Sequence, residues 1–390
     1  MTTANQPIRI ALVGAGIGGL SAAIALTRAG FAVEVFERAP ELRASGAGIT
    51  VQANAMRVMQ RLEVADAIAA AGAIIESGSV VNKDGALLQY MDLADVATRL
   101  GAPSVAIHRA SLLEILADAC AAPISTGRCA VDFEHVDAGV ELRFEDGASE
   151  TFDLLIGCDG LHSIVRRRLH GDQPLRYSGY TSWRAACRLD AVGSAAAIAT
   201  TEYWGRGARF GLVPIGHGEL YWFAVKNCAA GGQDAADPRD SLLEIFGDWP
   251  APIADAIAAT SPEAILRTDI SDRPPLSGAW GSGAVSLLGD AAHPMTPNMG
   301  QGACQAIEDA FILAEHLIAH REAGDFAVGL RAYEAARKVR TTWFIQQSQR
   351  LGGIGQWENA IARSLRDWLM AHAPASAIQR QLARVYDVDF

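Results

Sequence analysis

Cysteine is scarce and dispersed. The six residues at positions 120, 129, 158, 187, 228 and 304 include no Cys-x-x-Cys pair. That spacing speaks against a zinc site or any other metal centre and against a disulfide framework, and it fits a reducing cytoplasm. Basic residues are outnumbered, 33 Lys and Arg against 44 Asp and Glu, for a net charge of −11. A nucleic-acid binder needs a basic footprint, and the one dense basic run, Arg166-Arg167-Arg168, reads as a solvated helix face. No run of 18 apolar residues occurs, so no membrane span is expected. The opening MTTANQPIRI carries no apolar core of the kind a signal peptide has. With 390 residues, half of them hydrophobic, the chain is expected to fold as two or three substructures.

The most informative N-terminal stretch is a strand, a glycine loop and a helix in immediate succession. Ile8 to Val13 is an apolar run short enough for a buried strand. GAGIGG follows at Gly14–Gly19, and Leu20, Ala23, Ile24 and Leu26 form a helical stripe that ends at Ala29, with Gly30 suited to the position after the cap. Phe31 to Phe36 reads as a second strand, closed by Glu37. This is a dinucleotide fingerprint in its full βαβ context: Gly14 permits the tight turn, Gly16 lets backbone approach a pyrophosphate, and Gly19 lets helix and strand pack closely. An acid 18 residues after Gly19 suits a ribose hydroxyl and favours FAD or NAD over NADP. Ser45–Thr50 is a second loop of small residues, leading to a helix near Asn54–Leu62.

Two more acids stand at predicted strand ends. Phe152 to Gly157 is a buried strand stopped by Cys158-Asp159-Gly160. Ala284 to Leu288 is another, stopped by Gly289-Asp290. After Asp290, Pro294 and Pro297 stiffen a loop, and Gly300-Gln301-Gly302 opens a helix with Ala303, Ala306, Ile307 and Ala310 on one stripe. Strand, carboxylate, rigid loop and helix start can together hold a polar ligand with hydroxyls and an anionic end. Parallel α/β sheets bind ligands at that edge, which makes Glu37, Asp159 and Asp290 hard to read as surface decoration. Arg109, just before the helix Leu112–Cys120, is either a ligand to a phosphate or flavin or a surface cation.

Elsewhere the pattern is antiparallel. Gly78–Val81 and Leu87–Met91 flank the turn Asn82-Lys83-Asp84-Gly85. Tyr180–Leu189, Thr201–Trp204, Ala208–Pro214 and Glu219–Lys226 read as short strands of one antiparallel sheet, and short helices are expected over Leu242–Trp249 and Ile253–Ala259. From Leu330 the chain reads as helical to Leu351, breaks at Gly352–Gly355, and resumes over Trp357–His372 and Ala375–Tyr386. The expected fold is therefore α/β: a Rossmann-like dinucleotide-binding domain (1–75, 101–175 and 277–329), an inserted antiparallel β-sheet domain (76–100 and 176–276), and a C-terminal helical region (330–390).

The motifs resemble those of the class A flavoprotein monooxygenases, the family of p-hydroxybenzoate, salicylate and urate hydroxylases and related epoxidases. GAGIGG with Glu37 is similar to its FAD adenosine motif, CDGLHSIVR to its DG motif and LLGDAAHPMTPNMGQGACQAIEDA to its GD motif, in family order over about residues 8–345. Cys158 stands where the family usually has alanine. The resemblance makes the Rossmann-like domain the FAD-binding domain and the inserted antiparallel β-sheet domain the substrate domain. It implies that Gly14, Gly16, Gly18, Gly19, Glu37, Arg38, Thr50, Arg109, Asp290, Pro297, Gly300, Gln301, Gly302, Ala303 and Cys304 bind FAD. It implies that Asp159 and Arg166 serve both FAD and a nicotinamide cofactor, NADH or NADPH, which visits transiently, since no second fingerprint occurs.

It further implies an aromatic or heteroaromatic substrate hydroxylated by O2 through a flavin C4a-hydroperoxide. In the urate-hydroxylating branch an arginine and a tyrosine occupy positions similar to Arg209 and Tyr221. There the arginine orients substrate and the tyrosine helps activate it, and His217 is a second candidate for a base or proton relay here. Trp183, Trp204, Trp222 and Phe223 are candidate pocket walls or plain core. A flavin reductase or dehydrogenase, and a non-catalytic FAD-binding sensor, are the rival readings, because fold does not fix chemistry. The expected molecule is a cytoplasmic monomer or homodimer without nucleic-acid or membrane partners.

Overall fold

A computed structural model describes residues 7–42, 47–137, 139–192 and 199–388. Strand β1 (Arg9–Val13), helix α1 (Ile17–Arg28) and strand β2 (Ala32–Glu37) open the chain. Next come β3 (Gly48–Val51), α2 (Ala53–Arg61), α3 (Ala65–Ala71) and β4 (Ala73–Ile75). The hairpin β5 (Ser77–Asn82) and β6 (Leu87–Asp92) precedes α4 (Leu93–Leu100), β7 (Ser104–His108) and α5 (Arg109–Ala119). After them run β8 (Ile124–Thr126), β9 (Ala130–Val136), β10 (Gly139–Phe144), β11 (Ser149–Phe152), β12 (Leu154–Gly157) and α6 (Ile164–His170). The long strand β13 (Arg176–Arg188) leads to β14 (Thr200–Trp204), β15 (Ala208–Gly216), β16 (Glu219–Asn227), α7 (Pro238–Phe246), α8 (Ile253–Ala258) and β17 (Leu266–Asp272). β18 (Val285–Leu287), α9 (Gly302–Ala319), α10 (Phe326–Gly355), α11 (Ala360–Ala371) and α12 (Ala375–Tyr386) complete the described chain. Of the small-residue loop Ser45–Thr50, Ser45 and Gly46 lie outside the described residues; its later part is β3.

The first sheet is parallel throughout, in the order β18-β12-β1-β2-β8. Its central strands are unbroken apolar runs, as a parallel sheet covered on both faces requires. Ile10, Ala11 and Leu12 are wholly buried, as are Leu155 and Ile156. Gly14 has φ +105°, and a side chain there would strike the Cys158 carbonyl at 2.6 Å; one at Gly19 would strike the Gly14 carbonyl oxygen at 2.0 Å. The loop is thus folded tightly onto β12 and α1, for the steric reason that glycine serves at such positions. Gly18 faces Leu288 and Ala306, so it lets α1 approach α9.

The large sheet has the order β17-β13-β16-β15-β14-β5-β6. Its pairings are antiparallel except β14 with β5, which is parallel. Side-chain alternation gives it two unlike faces. One face, with Trp183, Phe210, Leu212 and Trp222, packs on Leu242, Phe246, Ile253 and Ile257 of α7 and α8. Trp183 and Trp222 are therefore core, and Trp222 also donates its indole N–H to Thr260 at 2.9 Å. The other face carries Arg184, Tyr221, Phe223 and Arg209: Arg184 pairs with Phe223, Tyr221 lies between Ala186 and Val213, and Arg209 pairs with Val225.

Helix α10 runs 30 residues, straight through Gly352–Gly355, where the sequence suggests a break. The glycines serve close approach instead. A side chain at Gly352 would meet Asn298 at 2.4 Å and the Tyr180 hydroxyl at 2.7 Å, and one at Gly355 would meet Arg209 at 3.0 Å. The end of α10 is thereby pressed onto the second face of the large sheet.

Candidate active site

Four neighbouring strands of the parallel sheet end at one edge, and each delivers a candidate group there. Gly14 follows β1, Glu37 ends β2, Asp159 follows β12 and Asp290 follows β18. Glu37 accepts the backbone N–H groups of Ala15 and Ala39, both at 2.9 Å, one on each oxygen. Each oxygen keeps a second lone pair for a hydroxyl. Arg38 is exposed just beyond it. A side chain at Gly16 would meet nothing within 4 Å, and α1 begins there without a side-chain cap, so the first N–H groups of α1 have no capping acceptor.

Asp159 uses one oxygen to accept from Ile164 and Val165, at 2.7 and 3.3 Å, at the start of α6. Its other oxygen is buried without a partner. Burial raises its carboxyl pKa, against the hydrogen bond from Ser163. Arg166 reaches back from α6 and donates to the carbonyls of Ala291 and Ala292 at 3.0 and 2.9 Å, tying the Asp159 loop to the Asp290 loop. Asp290 is deeply set, and the surrounding protein raises its pKa while His293 and Arg109 pull the other way. Its side chain is nonetheless solvent-exposed and has no hydrogen-bond partner among the described residues. These properties coexist only at the floor of a cleft.

The loop after Asp290 supplies the rest. Pro297 starts a 3-10 turn, Pro297–Met299, and Gly300 follows at φ +62°. Gln301 is held by Gln52 at 2.6 Å and by Asn54 at 3.0 Å. Helix α9 then begins at Gly302 without a side-chain cap, offering the N–H groups of Gly302, Ala303 and Cys304 to an anionic or carbonyl group. The Cys304 thiol is buried, its pKa pushed up to about 12, and it points at the Thr50 carbonyl, 3.6 Å away. Thr50 itself sits in β3 opposite Ala106. A free carboxylate, an orphaned carboxylate oxygen and two uncapped helix starts on one sheet edge fit a ligand with sugar hydroxyls and a pyrophosphate, which is the donor and acceptor set of FAD.

Above this edge lies the second face of the large sheet. Tyr221 packs against Gly48, where a side chain would come within 2.4 Å of its ring. Burial raises the Tyr221 pKa to about 12, with Arg184 and Arg109 acting in the opposite sense. Arg109, at the start of α5, feels burial first and then Asp290, Arg184 and Tyr221. The structure therefore gathers Arg109, Asp290 and Tyr221 with Arg184.

It does not bring Arg209 or His217 to them. Arg209 shares the face but is 3% exposed, with every guanidinium nitrogen engaged: Gln356 at 3.0 Å, Glu202 at 3.0 Å and Asn298 at 2.6 Å. Its charge is met inside the protein by Glu202, whereas the family resemblance implies that it orients substrate. His217 is at the exposed tip of the β15–β16 hairpin, with φ +49°, four residues along β16 from Tyr221. Trp204 is buried beside Val80 and Leu88.

Comparison with known proteins decides the family. Residues 8–348 match the FAD binding domain family. The chain belongs to this family. It is 43% identical over 378 residues to the aurachin C monooxygenase/isomerase of Stigmatella aurantiaca, covering 97% of each chain. It is 34% identical over 334 residues to a FAD-dependent urate hydroxylase of Klebsiella pneumoniae, covering 84% of this chain and 85% of that one. The solved structure of Klebsiella pneumoniae HpxO with FAD and uric acid superposes with a TM-score of 0.87 at 30% identity, over 96% of this chain and 95% of the other. The protein is a FAD-dependent monooxygenase with NAD(P)H as co-substrate. No helix among the described residues is long and apolar enough to cross a membrane.

Within such an enzyme Asp290 has a quantitative role. A hydrogen bond from a hydroxyl to a charged carboxylate contributes about 1.5–3 kcal/mol. Asp290→Ala is therefore expected to bind FAD about 10- to 100-fold more weakly, read from flavin content after gel filtration and from a quenching titration. Unchanged flavin affinity would remove Asp290 from the site.

Proposed function

We propose that the enzyme oxygenates a planar aromatic or heteroaromatic ring held between the Tyr221 face of the large sheet and the Asp290 edge of the parallel sheet. In this reading residues 1–75, 101–175 and 277–329 hold FAD, 76–100 and 176–276 shape the ring pocket, and 330–390 close it from behind. The observation that carries it is the meeting of Arg109, Asp290, Arg184 and Tyr221, drawn from both sheets. Bound FAD supplies the redox chemistry, taking electrons from NAD(P)H and activating O2. The chain's own residues position the ring and exclude water.

Tyr221 is the polar contact to the ring. Its hydroxyl has no hydrogen-bond partner among the described residues, and a pKa near 12 keeps it protonated at neutral pH. It serves as a donor to a ring oxygen that gains negative charge, and not as the base. Pro294 and Pro297 stiffen the loop that walls the cleft. The relatives support a ring substrate, since their names specify aurachin C and urate. The cytoplasm is the proposed compartment, in keeping with six free cysteines, and the assembly is a monomer or homodimer.

The nicotinamide cofactor has a separate landing place in this reading. A recess beside the Asp159 loop is lined by His162, Ser163, Arg166, Arg167, Gln173 and Arg273. Arg166 and Arg273 are 3% and 9% exposed, and the Nε of each is buried without a partner. Burial and then the neighbouring Arg273 lower the Arg166 pKa to about 10, a repulsion that a phosphate group would relieve. Arg273→Ala is expected to raise the KM for NAD(P)H by about tenfold or more, the scale of one charged hydrogen bond, with FAD content unchanged. An unaltered KM would place the nicotinamide cofactor elsewhere. The test of the whole reading is a screen of ring compounds, urate first, for stimulation of NAD(P)H oxidation with an oxygenated product. Oxidation that no ring stimulates would favour a reductase.

A further inference from the structure

The second face of the large sheet carries a cation that the protein leaves unmatched. Arg184 projects from β13 in the same row as Phe223, one row from Tyr221. The rings of Tyr221 and Phe223 lie 6.1 Å apart, tilted by 39°, and Phe223 lies flat over Gly211, where any side chain would collide with it at 2.1 Å. The two rings and the guanidinium thus border one surface. The single described hydrogen bond of Arg184 is from NH2 to the Thr268 hydroxyl at 3.1 Å, and its Nε is buried without a partner. No carboxylate pairs with it among the described residues. Asp290 acts on Arg109. Arg209, by contrast, is neutralised by Glu202.

We propose that Arg184 is the anion clamp of the ring pocket, binding a negatively charged oxygen carried by the aromatic substrate while Tyr221 and Phe223 flank the ring. A partly buried guanidinium with a free N–H is costly unless an acceptor arrives, and its planar fork suits a carboxylate or a ring oxyanion. The substrate class is accordingly an aromatic ring bearing an ionised oxygen, either a phenolate-type oxygen or a carboxylate. The assignment rests on the ring-oxygenating site proposed above and gives to Arg184 the charge role that the family resemblance implies for Arg209.

The experiment is calorimetric titration of FAD-loaded protein with three probes: pentafluorophenolate, benzoate and the neutral pentafluorobenzene. Wild type should bind at least one of the two anions, and which one distinguishes a ring oxyanion from a carboxylate. Arg184→Gln should weaken that anion by about tenfold or more, as loss of a charge-assisted hydrogen bond does, while the neutral ring is unaffected and flavin content stays at the wild-type level. Arg184→Lys, which keeps the charge and loses the fork, should fall between the two. Equal anion affinity in wild type and both variants overturns the clamp, as does a wild type that binds neither anion or a variant that loses the neutral ring equally. If the clamp fails while a ring still stimulates NAD(P)H oxidation in wild type, the site reading stands without it. If no ring stimulates oxidation, the site reading itself fails.

Discussion

Tyr221→Phe should lower the yield of oxygenated product per NAD(P)H by about a hundredfold, the effect of removing one donor aimed at developing charge. The substitution takes away a single hydroxyl. That hydroxyl has no described protein partner and stays protonated to about pH 12, so its loss strands no other group and leaves the ring packed against Gly48. Flavin content and the rate of NAD(P)H oxidation should therefore persist, with the missing product appearing as hydrogen peroxide. Product and peroxide measured against NAD(P)H consumed give the answer. A variant with wild-type yield would make Tyr221 a packing residue only.

Asp309→Asn should destabilise the fold by about 3–5 kcal/mol, as expected when a buried ion pair loses one charge. Asp309 is wholly buried in α9 and accepts from the Gly289 N–H at 2.9 Å, the His293 Nε2 at 2.5 Å and the Arg337 Nε at 2.6 Å. Its neighbour Glu308 accepts from Asn54 at 2.6 Å, Arg337 at 2.7 Å and Arg340 at 2.8 Å. One buried network thus ties the Asp290 loop, α2, α9 and α10 together. Burial alone would raise the Asp309 carboxyl; His293 and Arg337 outweigh it and hold the pKa at about 2. Glu308 is also lowered, by Arg337 and Arg340 against its burial.

A carboxyl depressed in the folded state stabilises above its unfolded pKa, about 3.9 for Asp, and that contribution fades as pH falls through the folded value. Wild type should therefore lose stability between about pH 4 and pH 2. Urea midpoints at pH 7 and pH 3 check both statements: the variant should start lower and lose less on acidification. Equal midpoints at pH 7 would mean that the network is not what joins α9 to α10.

The ligand edge was legible because each of its parts is local. A buried apolar run, an acid at its end and glycines before a helix all lie within about 25 residues, the length of one βα unit. Glu37, Asp159 and Asp290 could be placed at strand ends without knowledge of strand order. The setting of Arg209 is less legible, because two of its three partners come from remote places, Asn298 after β18 and Gln356 at the end of α10, and only Glu202 lies in the adjoining strand β14. The resemblance that pairs it with Tyr221 says nothing about a carboxylate in the next strand. Arg184 could have been singled out only by its phase on β13, since pairing with Phe223 sets which face it joins, and one residue of slip would reverse that face. Gly352–Gly355 looked like a helix stop because glycine disfavours helix intrinsically, while the contacts with Asn298, Tyr180 and Arg209 that require small residues there are long-range.

The most direct measurement is isotopic. The FAD-loaded enzyme is supplied with NAD(P)H, a ring compound that stimulates its oxidation, and oxygen-18 gas in ordinary water. The account predicts a product ring carrying one oxygen-18 atom, with the label lost in step with product yield in Tyr221→Phe. A product whose new oxygen comes from water, or NAD(P)H oxidation with no labelled product from any stimulating ring, would contradict it.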